Sequence, residues 1–118
     1  DGVIEVWGPG NQTRSFLFID ECVEGIQRIM ESDLTEPVNL GSTRKISINE
    51  LVHLIAEISN KRVTIKNIDG PRGVMGRTSD NNLIKEKIDW APDEDLETGI
   101  EKTYNWICGQ IESGVKDV

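Results

Sequence analysis

An α/β fold, with short strands interleaved among three or four amphipathic helices, is the architecture the 118-residue sequence predicts. Three observations predict it. Residues 3–7 and Val63–Ile68 are short runs with strand-like alternation. Three separate stretches instead space their apolar residues at three and four, the period of a helix face. Glycine-rich turns divide these stretches, and with only 4 prolines little interrupts the helical ones.

The elements follow in order. Residues 3–7 form a strand that ends at the turn Gly8-Pro9-Gly10-Asn11, and residues 12–18 read as a second extended piece. From Ile19 the period changes, with Ile19, Cys22, Val23, Ile26, Ile29 and Met30 on one helical face. Asp20 and Glu21 suit the positive N-terminal end of that helix, and Glu24 stands four residues before Arg28. Residues 37–40 are expected as a short strand that stops at Gly41-Ser42. Ser47-Ile48-Asn49-Glu50 is a capping box, followed by Leu51, Leu54, Ile55 and Ile58 along one stripe. Residues 70–77, rich in glycine and without periodicity, form a loop. Ser79 or Asp80 is placed to cap a short helix bearing Leu83, Ile84 and Ile88. The last helix carries Leu96, Ile100, Ile107 and Ile111, with Thr103 or Tyr104 between them.

Composition narrows the function. Aspartate and glutamate number 21 against 13 lysines and arginines, a formal charge of −8, which opposes binding to a nucleic-acid backbone. No apolar run approaches the roughly 20 residues that span a bilayer, so no membrane partner is expected. The opening residues lack a basic segment followed by an apolar one, so no secretory signal is expected, and the chain reads as cytoplasmic. Cys22 and Cys108 form no CxxC pair and sit on apolar helix faces, which predicts buried free thiols in a reducing compartment.

Catalytic equipment is scarce. His53 lies opposite the apolar stripe of its helix, in line with Glu50 and Glu57, and reads as part of a solvated face. Nothing in sequence is placed to activate either cysteine, and no metal-ligand spacing occurs. Gly70 to Thr78 fails as a phosphate-binding P-loop: its glycines are one residue too far apart, and Arg77 stands where that motif needs lysine. The glycines of residues 8–10 precede a strand, whereas a dinucleotide fingerprint needs a helix N-terminus there. What remains is a pair of arginines from distant segments, Arg14 beside Gln12 and Thr13, and Arg77 at the end of the glycine-rich loop. A planar, permanently charged guanidinium suits phosphate, and two could clamp a diphosphate.

The same residues carry a family resemblance. The segments GPGNQTRSFLFIDECVEGI, EPVNLGS and GRTSDNNLIKEKIDWAPDEDLETGIEKTYNWI resemble the C-terminal part of nucleotide-sugar epimerases and dehydratases, the extended short-chain dehydrogenase/reductases. The resemblance spans residues 1–118 and implies a small substrate-binding C-terminal lobe, the fragment of a larger enzyme whose Rossmann domain is absent here. It implies that Arg14, with Gln12 and Thr13, contacts the diphosphate, and that Arg77 is the second phosphate-binding arginine. It further implies that Asp80 faces the ribose and that Val6 and Trp7 lie along the base. The substrate implied is a nucleotide sugar, a GDP-mannose-like one favoured over UDP- or dTDP-sugars. The intact enzyme would use NAD and form a homodimer. Two signatures of the family are missing: the glycine fingerprint, and a Tyr-x-x-x-Lys pair, since Tyr104 is followed four residues on by Cys108. The chain alone is therefore expected to bind no NAD and to carry no catalytic residue. A non-catalytic interaction module is the alternative.

Overall fold

The computed structural model describes residues 1–116. Its elements run β1 (Gly2–Trp7), β2 (Thr13–Arg14), α1 (Ile19–Glu31), β3 (Ile46–Ser47), α2 (Ile48–Ile58), β4 (Val63–Ile68), α3 (Asn82–Ile88) and α4 (Leu96–Glu112). β1 and β4 pair in parallel, Gly2 opposite Val63 through Trp7 opposite Ile68. A parallel pair needs a long crossover, and α1, β3 and α2 fill it. β2 pairs antiparallel with β3, Thr13 opposite Ser47 and Arg14 opposite Ile46. Two two-stranded sheets and four helices therefore make up the described residues.

Local chemistry explains where the helices start. At α2 the capping box is complete: Ser47 Oγ accepts from the Glu50 N–H at 3.1 Å, and Glu50 Oε2 accepts from the Ser47 N–H at 2.8 Å. Asp95 Oδ1 caps α4 by accepting from the Thr98 N–H at 3.1 Å. The Glu24–Arg28 pair forms at 2.9 Å on the exposed side of α1. Glu21 reaches further than its sequence position suggests, because its Oε1 accepts from the Asp93 and Glu94 N–H groups at 2.7 and 2.8 Å and ties α1 to the start of α4.

The core is small. Val6, Ile46, Val52 and Ile84 are its buried apolar side chains, with Ile84 wholly enclosed. By contrast Ile19, Val23, Ile26 and Met30, one stripe of α1, are between 49% and 78% exposed. An amphipathic helix that presents its apolar stripe to water has no partner for it among the described residues.

Several expectations are corrected. Residues 37–40 form no strand, because Pro37 lacks an N–H and no described strand runs alongside to make a ladder. The extended piece at residues 12–18 shortens to Thr13–Arg14, since only these two meet a partner, β3, which the sequence did not announce. The N-terminal position of α3 is taken by Asn81, whose Nδ2 donates instead to the Gly41 carbonyl at 2.8 Å. Asp80 still serves that end, its Oδ1 accepting from the Asn82 N–H at 2.9 Å. Both cysteines are free, but they are half-buried rather than buried, since the faces of α1 and α4 that hold them are incompletely covered.

Candidate functional site

The site begins at Thr13. One edge of this residue pairs with β3, and the other meets the glycine-rich loop. Its N–H donates to the Met75 carbonyl at 2.7 Å, and its carbonyl accepts from the Arg77 N–H at 3.2 Å. Thr13 and Gly76 thereby form a single parallel bridge between segments more than sixty residues apart. Arg14 and Arg77 each follow their member of that bridge by one residue. Neighbours at equal offset in parallel segments share a face, and both arginines line one open cleft of about 360 Å³. Ser15, Leu17, the 39–42 segment, Thr78 and Ser79 complete its wall.

Its charge sets this cleft apart. No carboxylate lines it, in a chain whose acids outnumber its bases by eight. The ion pairs among the described residues use Arg28, Arg44, Lys66 and Lys102, not Arg14 or Arg77. Three other clefts among the described residues all include carboxylates: the one beside Arg28 and Lys87 has Glu31, Asp33 and Glu36, the apolar groove between α2 and α4 has Glu21, Glu94 and Asp95, and the one at Arg44 has Glu50 and Glu57. Two guanidiniums in one cleft whose lining holds no carboxylate have the charge and the donor geometry that suit an anion.

The Arg14 guanidinium is already held. Nη1 donates to the Thr13 carbonyl at 2.7 Å and Nη2 to the Arg72 carbonyl at 3.1 Å. A guanidinium has five N–H groups, so three stay available. The wall opposite is built by its own hydrogen bonds. Thr78 Oγ1 donates to the Thr43 carbonyl at 3.1 Å, and Ser79 Oγ donates to Asn81 Oδ1 at 2.7 Å.

The remaining sequence candidates lie off the cleft wall. Gln12 is buried behind it, its Nε2 donating to the Trp7 carbonyl at 3.3 Å and its Oε1 left without a partner. Val6 belongs to the core. Trp7 is 53% exposed, with its indole against Gly70, where an added Cβ would fall 2.5 Å from Cγ. Asp80 is exposed next to the wall residue Ser79 and is engaged at the start of α3. Sequence reasoning missed Arg72 and Gly73, which contribute backbone rather than side chain, and the 39–42 segment, which shows no phosphate-binding pattern. Glycines 8 and 10 lead into β2 and not into a helix, so that turn offers no helix N-terminus to a dinucleotide pyrophosphate. His53, as expected, is exposed.

No protein-family model matches the chain. It is 55% identical over 108 residues to GDP-mannose 3,5-epimerase of Arabidopsis thaliana, a match that covers 92% of this chain and 29% of that relative. Among solved structures, its fold superimposes on UDP-glucose 4-epimerase of Thermotoga maritima, solved with UDP-glucose, with a TM-score of 0.86 at 26% identity. That superposition covers 92% of this chain and 35% of the other. UDP-glucuronic acid 4-epimerase of Bacillus cereus, solved with UDP-glucuronic acid and NAD, matches with a TM-score of 0.81 at 26% identity, over 89% of this chain and 35% of the other. The chain therefore spans about a third of the length of these proteins, in their C-terminal part.

Proposed function

From a chain that carries the sequence and the fold of the C-terminal lobe of extended short-chain dehydrogenase/reductases acting as nucleotide-sugar epimerases and dehydratases, we propose that Arg14 and Arg77 grip the diphosphate of a nucleotide sugar between them. The observation that carries this reading is the acid-free cleft that both arginines line. A diphosphate brings two or more negative charges and planar pairs of oxygens, and two guanidiniums can meet these with parallel charge-assisted hydrogen bonds. The 55% identity to a GDP-mannose 3,5-epimerase favours a GDP-sugar as the ligand over a UDP-sugar.

Held at its diphosphate, the substrate has its sugar end directed away from the arginines. The lobe thus contributes binding energy and orientation, which lower the barrier of a reaction carried out elsewhere in the enzyme. NAD, present in the solved Bacillus cereus relative, would supply transient oxidation of the sugar. On this reading the parts that hold NAD belong to the remaining two-thirds of an enzyme of this kind. That same portion is the natural cover for the exposed α1 stripe of Ile19, Val23, Ile26 and Met30.

The deciding experiment is calorimetric titration of GDP-mannose, with UDP-glucose in parallel, into the chain and its Arg14→Ala and Arg77→Ala variants. Each substitution should weaken GDP-mannose binding by about tenfold or more, since a hydrogen bond to a charged group contributes roughly 1.5–3 kcal/mol. Dissociation constants that match the unsubstituted chain reject the grip. Preference for UDP-glucose rejects the GDP assignment and leaves the grip standing.

A further inference from the structure

We propose that Gly73 is a positioning residue for Arg14, an inference that deepens the diphosphate reading and rests on it. The Arg72 carbonyl, which holds Arg14 Nη2 at 3.1 Å, belongs to the peptide unit joining residues 72 and 73. That unit is planar, so the direction of its oxygen is fixed by the torsions on either side, one of them the φ of residue 73. Gly73 has φ +69°, a left-handed conformation that glycine adopts freely and an L side chain resists. Its lack of a side chain serves a second purpose. A Cβ placed there would stand 3.2 Å from Arg14 Nη2, closer than ordinary packing allows.

The other anchors of the loop make this effect local. Thr13 binds Met75 and Arg77 through backbone hydrogen bonds, so the C-terminal end of the loop is pinned whatever occupies position 73. At the other end the Arg72 side chain lies across Gly8, which sits in a left-handed turn at φ +71° and leaves it room. Between these two anchors, the φ of Gly73 is one of the two torsions that set where the Arg72 oxygen points. With Thr13 and Arg72 oxygens on Nη1 and Nη2, the guanidinium plane has two fixed points and presents its remaining N–H groups in one orientation. Pre-organisation of this kind avoids ordering a long side chain at the moment of binding.

The test is nuclear magnetic resonance on the full 118-residue chain, following the Arg14 Nε–Hε correlation in the unsubstituted protein, Gly73→Ala and Gly114→Ala. Gly114 also has positive φ, at +84°, but has no atom within 4 Å of an added Cβ, so it reports backbone strain without the arginine. The expected result is a shifted and broadened Arg14 signal in Gly73→Ala only. Inorganic pyrophosphate binding should weaken about fivefold in Gly73→Ala and hardly further when the same change is made on Arg14→Ala, because coupled positions are non-additive. If Gly73→Ala fails to fold, Gly73→Asn replaces it, since asparagine tolerates positive φ while carrying the same Cβ. An Arg14 signal unmoved by Gly73→Ala overturns the positioning role and leaves the diphosphate grip intact. Absence of pyrophosphate binding by the unsubstituted chain overturns the grip, and the Arg14 signal still decides the positioning.

Discussion

The N–H of Arg77 donates to the carbonyl of Thr13 at 3.2 Å, and this bond sets Arg77 at the same offset from the Thr13–Gly76 bridge as Arg14, so that both line one cleft. Together with the Thr13 N–H on Met75, it makes a two-bond splice between the β2 segment and the glycine-rich loop. The cleft exists because of this splice. Neither arginine has a carboxylate partner among the described residues, so the cationic pair stays open to a ligand in a protein of net charge −8.

Charge alone will not substitute for geometry at this pair. Arg14→Lys keeps the positive charge but loses the fork that reaches the Thr13 and Arg72 carbonyls while leaving donors free. GDP-mannose binding should fall by about fivefold in Arg14→Lys, an intermediate loss between the unsubstituted chain and Arg14→Ala. Raising salt should weaken binding in all three, with the flattest dependence in Arg14→Ala, which has one cation fewer. Equal affinities for the lysine and arginine forms count against a planar, two-donor contact.

Stability should be unevenly distributed over the apolar residues. Ile84 is wholly buried, and Ile84→Ala should destabilise by about 2–5 kcal/mol through lost contacts and the cavity left behind. Val23 is 56% exposed on α1, so Val23→Lys should change stability by less than about 0.5 kcal/mol. Urea denaturation of both variants checks the contrast. A large loss from Val23→Lys would mean that the α1 stripe is covered in solution, for example by a second copy, and its concentration dependence would show that.

Features that one stretch of chain determines by itself were legible in the sequence. The capping box at Ser47–Glu50, the Glu24–Arg28 pair and the apolar stripes of α1 and α4 are of this kind, since spacing along a helix is spacing in three dimensions. Pairings between distant segments were not. Nothing local marks Val63–Ile68 as the partner of β1, and Ile46–Ser47 is too short to show any period. Residues 37–40 look like a strand by composition, yet a strand needs a neighbour. At the cleft, residue chemistry and the family segments singled out Arg14 and Arg77, but their convergence depends on the Thr13–Gly76 bridge. The Arg72 carbonyl was invisible because every residue carries one.

The α2 cap offers a direct check on local energetics. Ser47→Ala removes the acceptor for the Glu50 N–H and leaves a helix-start donor without its protein partner. The expected cost is about 1 kcal/mol, read as a lower urea midpoint with an unchanged slope. Because Ser47 also belongs to β3 and faces Thr13, the same variant should perturb the amide signals of Thr13 and Arg14. Unchanged stability would show that water satisfies the Glu50 N–H as well as the serine does.

Acid should destabilise the fold through two carboxylates whose pKa values are held low. The Glu50 carboxyl lies below its ordinary 4.5 because it accepts from the Ser47 N–H and then from the Ser47 hydroxyl, against a smaller opposing effect of desolvation. Glu97 is lowered chiefly by the two hydrogen bonds from Arg44, at 2.6 and 2.7 Å. A carboxyl whose pKa is lower folded than unfolded binds protons more readily in the unfolded chain. Its stabilising contribution is therefore complete above the unfolded value and is lost as pH falls through the folded one. The urea midpoint should accordingly decline once pH drops below about 4.5. Both groups are exposed, so the loss attributable to them should be modest. Glu50→Gln with Glu97→Gln should lower stability near neutral pH and flatten the decline below it. If the double variant and the unsubstituted chain lose stability in parallel over that range, the acid sensitivity arises from other carboxylates.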